Sequence, residues 1–298
     1  MIQNSRPGTL NPLNRLLNKI RLIPRRYEQR RCTRIVTALN GELTTPENLE
    51  EVTCYFCQSA CSDFICTLSG LTYRKCPVCA LVFVTPRLKT AVYSRVYDKY
   101  YWWERRKAFG EQTLSERVDI NRIAAQNVVD LLAPYISKGV LLDIGCGDGA
   151  VVYAASCRGF EAYGVELSDY LIQYATALYP SISVYQSVTH LPHHARKQGF
   201  HLILMRDVIE HLYEPQQELE KINAMLCRGG YLYLETVNTD DPEFSRCPAI
   251  WPHSKPYEHP YLFSQAHVDR MLAAAGFKLA ARFPVAANRY HVLAQKDA

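Results

Sequence analysis

The chain has 298 residues, of which 48% are hydrophobic, 21% are charged and 11% are aromatic, and its net charge is +5. This composition is typical of a globular protein and excludes disordered, collagen-like and repeat architectures. No stretch approaches 18 uncharged apolar residues, and the opening sequence MIQNSRPGTLNPLN lacks the apolar segment of a signal peptide. We therefore expect a cytoplasmic protein.

Residues 1–35 contain nine Lys or Arg and a single acidic residue, Glu28. Their net charge is therefore +8, and that of the remainder is −3. Four aliphatic side chains recur at helical spacing within this arm: Leu13, Leu16, Leu17 and Ile20. The pattern predicts a short basic amphipathic helix. Residues 11–31 could contact an anionic membrane at its inner surface, pack on protein or touch nucleic acid. We expect no DNA partner, and the sequence leaves the oligomeric state open.

Two C-x-x-C pairs, separated by 18 residues, have the spacing of a zinc ribbon. The predicted ligands are Cys54, Cys57, Cys76 and Cys79. Four thiolates would complete a tetrahedral Zn²⁺ site and leave no position open for a reacting water, so the metal would be structural. Cys61 and Cys66 lie between the pairs and are interpreted as bystanders, with Cys61 in place of Cys57 as the alternative.

From residue 140 onward, short apolar strands alternate with helical segments. Strands are predicted at 140–144, 161–166, 182–185, 201–205, 231–236, 277–283 and 289–295. Such alternation predicts an α/β fold with a parallel sheet and ligands at the carboxyl ends of its strands. A short turn near Asn288 makes the last two strands antiparallel to each other. The predicted domains are an arm (1–35), a linker and ribbon (36–90), a helical lead-in (91–135) and the α/β domain (136–298).

The turn after the first of these strands is rich in glycine, and it reads Asp143-Ile-Gly145-Cys146-Gly147-Asp-Gly149. Glycines at this position let backbone amides approach a ligand at a helix amino terminus, as they also do in nicotinamide enzymes. Asp143, however, would repel a pyrophosphate and can accept a hydrogen bond from an α-amino group. Glu166 can bind both hydroxyls of a ribose. S-adenosylmethionine, which has an ammonium and a ribose but no phosphate, fits this pattern.

Five blocks over about residues 120–298 resemble the class I S-adenosylmethionine-dependent methyltransferases. They lie at 141–149, 163–166, 201–211, 226–235 and 263–277. The resemblance implies a Rossmann-like seven-stranded sheet with an antiparallel final strand, preceded by the ribbon. It also implies cofactor contacts from Asp143, Gly145, Cys146, Gly147, Gly149, Glu166, Leu167, Ser187, Arg206 and Asp207. The residue after the third strand, usually acidic toward the adenine amino group, is Gln186 or Ser187 here.

The segment Asp207-Val-Ile-Glu210-His211 follows the fourth strand and resembles the Glu-x-x-Glu-His of the ubiquinone-pathway O-methyltransferases. Asp207 replaces the first Glu of that motif. The resemblance suggests a divalent ion, which the side chains of Asp207, Glu210 and His211 could bind. Alternatively, Glu210 and His211 brace the helix that follows.

Residues 258–264 resemble a segment of the ribbon-bearing deoxysugar C-methyltransferases and contain the pair Glu258-His259. A hydroxyl is a poor nucleophile toward a sulfonium, and a positioned His contributes about 10²–10⁴ in rate. We therefore predict His259 as the general base, oriented by Glu258, with His211 and Asp207 as the alternative catalytic group. Turnover should then fall as the pH drops through about 6.5, where an ordinary His is protonated.

Together these patterns favour a methyltransferase acting on a small-molecule or saccharide acceptor, through O-methylation of a sugar, nucleotide-sugar or glycoconjugate hydroxyl. One alternative is an RNA methyltransferase that uses the ribbon and the arm for binding, and another is a protein that binds S-adenosylmethionine without turnover. Against RNA, the fourth strand is followed by neither an Asn/Asp-Pro-Pro-Tyr run nor a Pro-Cys nucleophile. The acceptor atom, whether O, C, N or S, is not determined by the sequence.

Overall fold

The computed structural model describes residues 43–95 and 112–297. The predicted amphipathic helix and its membrane contact at 11–31 lie outside these residues, as does part of the helical lead-in. The domain boundaries therefore stay predictions. None of the helices in the described ranges is both long enough and apolar enough to cross a bilayer.

The ribbon region forms short strands. They are β1 (Leu49–Glu50), β2 (Asp63–Leu68), β3 (Leu71–Lys75), β4 (Val82–Val84) and β5 (Arg87–Leu88). The strands β2, β3 and β4 pair antiparallel in that order, and β1 pairs with β5. Helix α1 (Thr90–Arg95) follows, and α2 (Gln112–Leu132) leads into the α/β domain.

The α/β domain alternates strands with helices, as expected. Its first elements are β6 (Gly139–Ile144), α3 (Ala150–Cys157), β7 (Phe160–Val165), α4 (Asp169–Leu178), β8 (Ser183–Tyr185) and α5 (His193–Gln198). They are followed by β9 (Phe200–Arg206), α6 (Pro215–Met225), β10 (Leu226–Val237), α7 (Pro242–Arg246) and β11 (Tyr261–Leu262). The chain ends with α8 (Gln265–Ala274), β12 (Phe277–Phe283) and β13 (Arg289–Lys296).

Seven of these strands form one sheet in the order β12-β13-β10-β9-β6-β7-β8. Its pairs are parallel except those of β13, which runs antiparallel to both β10 and β12. The predicted Rossmann-like sheet with an antiparallel final strand is confirmed. Strands β6 and β9 contain apolar runs at 140–142 and 202–205, because both faces of the sheet are covered. Leu141 and Leu202 pack on the side of α2 and α3, and Leu142 and Ile203 pack on the side of α6, α8 and the ribbon.

One strand joins the two parts of the chain. The late loop, defined as residues 238–264, contributes β11, which pairs antiparallel with β4 and completes a four-stranded ribbon sheet. Side chains from both parts share one core, in which Tyr73 of β3 packs with Trp251, Tyr257 and Leu262 of the late loop. The ribbon is thus built into the α/β domain, which hydrophobic periodicity could not predict because β11 has only two residues.

Candidate active site at the carboxyl ends of β6, β7 and β9

The glycine-rich turn connects β6 to α3 beside the end of β7. The amides of Gly145 and Cys146 donate to the Val165 carbonyl at 2.8 and 3.1 Å. Gly145 has a φ of +72°, and a Cβ there would lie 2.6 Å from Cγ2 of Val208. Gly147 has a φ of +55°, and a Cβ there would meet no atom within 4 Å, so its backbone faces open space. A ligand can therefore approach the main chain at Gly147.

Two acidic side chains flank this open space. Asp143 is 3% exposed, and burial raises its pKa to about 7 although Arg206 nearby favours the carboxylate. Glu166 accepts hydrogen bonds from the amides of Gly147 and Ser168 at 3.1 and 3.0 Å, and burial raises its pKa as well. Burial makes the ionised form of a carboxyl costly, so a cationic partner stabilises that form strongly. The ammonium of S-adenosylmethionine would supply that partner.

The remaining residues predicted for the cofactor lie around the same edge of the sheet. Leu167 is 72% exposed beside Glu166, which leaves its side chain available to cover an apolar ring. Ser187 lies 2.6 Å, hydroxyl to hydroxyl, from Thr189, while Gln186 donates to Asp169 at 3.1 Å. Arg206 forms an ion pair with Glu235 at 3.0 Å. These positions suit the expected contacts, which stay predictions.

The segment after β9 lies directly against the glycine-rich turn, because Val208 covers Gly145. Here Glu210, His211 and His259 each offer a ligand atom within 4.8 Å of the others. The rings of His211 and His259 are in contact, with centroids 4.6 Å apart and planes at 75°. The structure thus brings His259 of the late loop next to Glu210 and His211, which follow β9.

Backbone carbonyls fix the tautomers of both rings. His259 Nδ1 lies 2.8 Å from the carbonyl oxygen of His253, and His211 Nδ1 lies 2.8 Å from that of Glu258. A carbonyl only accepts, so each Nδ1 carries a proton and each Nε2 is the basic nitrogen. Burial lowers the pKa of His211 and holds that of His259 well below its ordinary value. Both rings are therefore neutral at physiological pH.

Glu210 completes this group from inside the protein. It is 1% exposed, and burial together with nearby Asp207 raises its pKa to about 8. One carboxyl oxygen accepts a hydrogen bond from Thr236 at 2.8 Å, and the other, Oε1, is buried without a partner among the described residues. Burial therefore favours the protonated form of Glu210, and a cation bound at Oε1 would favour the carboxylate.

Two expected roles differ in the structure. His259 is oriented by the His253 carbonyl and not by the Glu258 carboxylate, which instead lies 3.6 Å from Lys255 Nζ. Asp207 has a φ of +54°, which turns its half-exposed carboxylate toward an ion pair with Arg289. From the sequence, an ion could be bound by Asp207, Glu210 and His211, but the group whose ligand atoms lie within 4.8 Å of one another contains His259 in place of Asp207. Sequence reasoning missed His253 and Arg289 because only the tertiary fold brings them to the site.

The four predicted zinc ligands also meet. Sulfur atoms of Cys54, Cys57, Cys76 and Cys79 lie within 4.8 Å of one another, and the Cys54 and Cys79 sulfurs are 3.5 Å apart. Sulfurs at about 2.3 Å from a tetrahedral Zn²⁺ are separated by about 3.8 Å, so the donor set fits the ion. Cys61 is exposed and Cys66 is buried on β2, and neither belongs to this group.

Comparisons with solved structures agree with this fold. Magnesium protoporphyrin IX methyltransferase from Synechocystis, with bound S-adenosylhomocysteine, superposes with a TM-score of 0.54 at 15% identity, covering 70% of this chain and 100% of that one. The 1,6-didemethyltoxoflavin-N1-methyltransferase of Burkholderia thailandensis gives 0.52 at 15% identity, covering 79% and 100%. At such identities the likeness shows the fold alone.

Sequence relatives include proteins named ubiquinone biosynthesis O-methyltransferase. The one from Nitrosomonas europaea is 22% identical over 154 residues, which cover 49% of this chain and 61% of that protein. The one from Cereibacter sphaeroides is 30% identical over 128 residues, covering 42% and 52%. The chain thus matches only part of the length of these relatives. The family model for a methyltransferase domain matches residues 116–281, more than half of the chain. The chain therefore belongs to the methyltransferase-domain family.

Proposed function

We propose that the protein methylates a hydroxyl of a small-molecule acceptor, with a saccharide as the favoured class, and that His259 is the general base. The observation that carries this proposal is the basic Nε2 of His259, fixed by the His253 carbonyl beside Glu210 and His211. The turn next to this group suits S-adenosylmethionine, which supplies an electrophilic methyl group when bound. The names of the sequence relatives support oxygen as the acceptor atom.

Charge balance requires a base in this reaction. A neutral hydroxyl that becomes a methyl ether must lose its proton as the new O–C bond forms and the S–C bond of the sulfonium breaks, with that electron pair remaining on sulfur. His259 Nε2 accepts the proton. Asp143 and Glu166 bind and orient the cofactor. Val208 lies between the glycine-rich turn and the side on which the acceptor binds. Thiolate or carboxylate acceptors would not need this proton transfer, so dependence on His259 distinguishes hydroxyl acceptors from anionic ones.

The structure changes the expected pH dependence. Burial holds the pKa of His259 well below 6.5, so the base stays neutral and active at pH 6.5. We now expect turnover to decline only at a clearly lower pH.

The test is methyl transfer with His259→Ala against nucleotide-sugars, oligosaccharides, phenols and tRNA. We expect turnover to fall by about 10² or more on the accepted substrate, with unchanged affinity for S-adenosylhomocysteine. His194→Ala is the matched control, since His194 contacts Glu161 and Tyr163 away from the site. Full activity of His259→Ala would refute the base, and turnover on tRNA alone would favour the RNA hypothesis.

A divalent ion is a second candidate, favoured by Glu210, His211 and His259 lying together and by the unpartnered Oε1 of Glu210. Two imidazoles and one carboxylate form a common donor set for transition metals. If such an ion polarises the acceptor, Glu210→Gln should abolish Mn²⁺ or Zn²⁺ binding at this site in calorimetry. If calorimetry on the wild type detects no such binding, and if activity survives chelation, the ion takes no part in the reaction and His259 acts alone.

We also propose one structural Zn²⁺ in the ribbon, bound by Cys54, Cys57, Cys76 and Cys79. Their sulfur separations support it. The apparent free energy of binding in such sites, about 10–16 kcal/mol, is large enough to order a small module.

A further inference from the structure

Three consecutive carbonyls of the late loop are bound by the amino-terminal part of the chain. Each accepts one hydrogen bond from a residue between 73 and 93. The pairs are Tyr93 hydroxyl to Glu258 at 2.7 Å, Tyr73 hydroxyl to His259 at 2.9 Å, and Val84 amide to Pro260 at 2.9 Å. The backbone that carries His259 is thus held from outside the α/β domain.

Tyr73 bridges the two ends of the turn before His259. Its hydroxyl donates to the His259 carbonyl and accepts from the Lys255 amide at 3.2 Å. The side chain is fully buried in the core shared by the ribbon and the late loop, and burial raises its pKa far enough that it remains a donor. Its ring is therefore fixed, and so is the peptide that it contacts.

Tyr93 connects the late loop to the segment after β9. Its hydroxyl lies 2.7 Å from both the Glu258 and the His211 carbonyls, which share the proton. The Glu258 carbonyl also accepts from His211 Nδ1. The ring of Tyr93 stacks on Tyr213 at 4.5 Å between centroids. One hydroxyl thus sets the spacing between the backbones of His211 and Glu258.

We propose that Tyr73 and Tyr93 are positioning residues for methyl transfer. Neither hydroxyl touches the reacting atoms; they hold the backbone from which the His259 and His211 rings extend. The physical reason is that displacing a catalytic group by about 1 Å can cost about 10² in rate. This inference rests on the proposed role of His259, and it explains what the ribbon contributes to the site.

The test compares three Tyr→Phe variants, each of which removes only a hydroxyl. Tyr73→Phe and Tyr93→Phe should lower kcat about tenfold or more, with little change in KM for S-adenosylmethionine or in affinity for S-adenosylhomocysteine. Tyr257→Phe is the matched control, because its hydroxyl donates to the Ser69 carbonyl at 2.5 Å across the same interface. It should keep kcat within about twofold.

A second readout does not need turnover. The amides of Glu258 and His259 donate to the Lys255 carbonyl at 2.9 and 2.7 Å, so their hydrogen exchange reports opening of this turn. We expect faster exchange there in Tyr73→Phe and Tyr93→Phe, and unchanged exchange at the glycine-rich turn.

Each outcome decides the proposal. Equal losses of kcat in all three variants would mean that the hydroxyls only stabilise the interface, and would overturn it. Unchanged kcat and exchange in Tyr73→Phe and Tyr93→Phe would overturn it as well. If the wild type transfers methyl to no acceptor, the proposed function fails, while the exchange comparison still decides whether the tyrosines hold the loop.

Discussion

The proposed cofactor half and the proposed acceptor half of the site are built differently. The cofactor half comprises residues 143–149 and Glu166, and its contacts join neighbouring strands β6 and β7 and the turns after them. The acceptor half comprises residues 207–211, His253 and the pair Glu258-His259, together with Tyr73 and Tyr93 from the amino-terminal side. Local structure can therefore form the first half, whereas the second exists only once distant segments have packed.

Three experiments test whether each half can be disrupted without the other. The first should have the largest effect. Gly145→Ala places a Cβ 2.6 Å from Val208 at a φ of +72°, so the turn must deform. We expect affinity for S-adenosylhomocysteine, measured by calorimetry, to fall by about a hundredfold or more. Gly159→Ala is the control, since its φ of +88° is equally unfavourable but no atom lies within 4 Å of the added Cβ. Equal binding by both variants would place the cofactor elsewhere.

The second experiment removes the proposed zinc and so disrupts only the acceptor half. Cys76→Ser should reduce zinc from about one per chain to none by elemental analysis, because three thiolates no longer close the site. Turnover should be lost, while affinity for S-adenosylhomocysteine should stay within about threefold, because the hydrogen bonds that hold the glycine-rich turn are made to Val165 and Glu166. Cys61→Ser, at an exposed cysteine outside the group, should retain both zinc and turnover. Zinc-free wild-type protein with full activity would contradict this division.

The third and smallest effect concerns the charge of the cofactor half. Asp143 is a carboxylic acid below its pKa of about 7, and the ammonium of a bound ligand would favour the carboxylate. Binding of S-adenosylhomocysteine should therefore weaken as the pH falls below 7, by about tenfold between pH 8 and pH 6. Asp143→Asn should bind less tightly and lose this pH dependence. A slope that persists in Asp143→Asn would assign the titration to another group, with Glu166→Gln as the next variant to examine.

The features that could be predicted from the sequence are those that depend on residues close to one another in the chain. Alternating apolar strands and helices predicted the seven-stranded sheet, and the glycines between Asp143 and Gly149 predicted the turn after β6, because backbone conformation and hydrophobic burial are encoded within a few residues. The spacing of Cys54, Cys57, Cys76 and Cys79 likewise predicted which four sulfurs come together. His259 was found through a local motif, but the group that orients it was not.

Only the tertiary structure decided how the acceptor half is assembled. The pairing of β11 with β4, the hydrogen bonds from Tyr73 and Tyr93, and the ion pair of Asp207 with Arg289 join residues separated by up to 186 positions. No periodicity records such contacts, because they depend on which surfaces meet after the elements have formed. Burial, which lowers the pKa of His259 and raises that of Glu210, is likewise a property of the packed molecule and not of the residue or its neighbours in the chain.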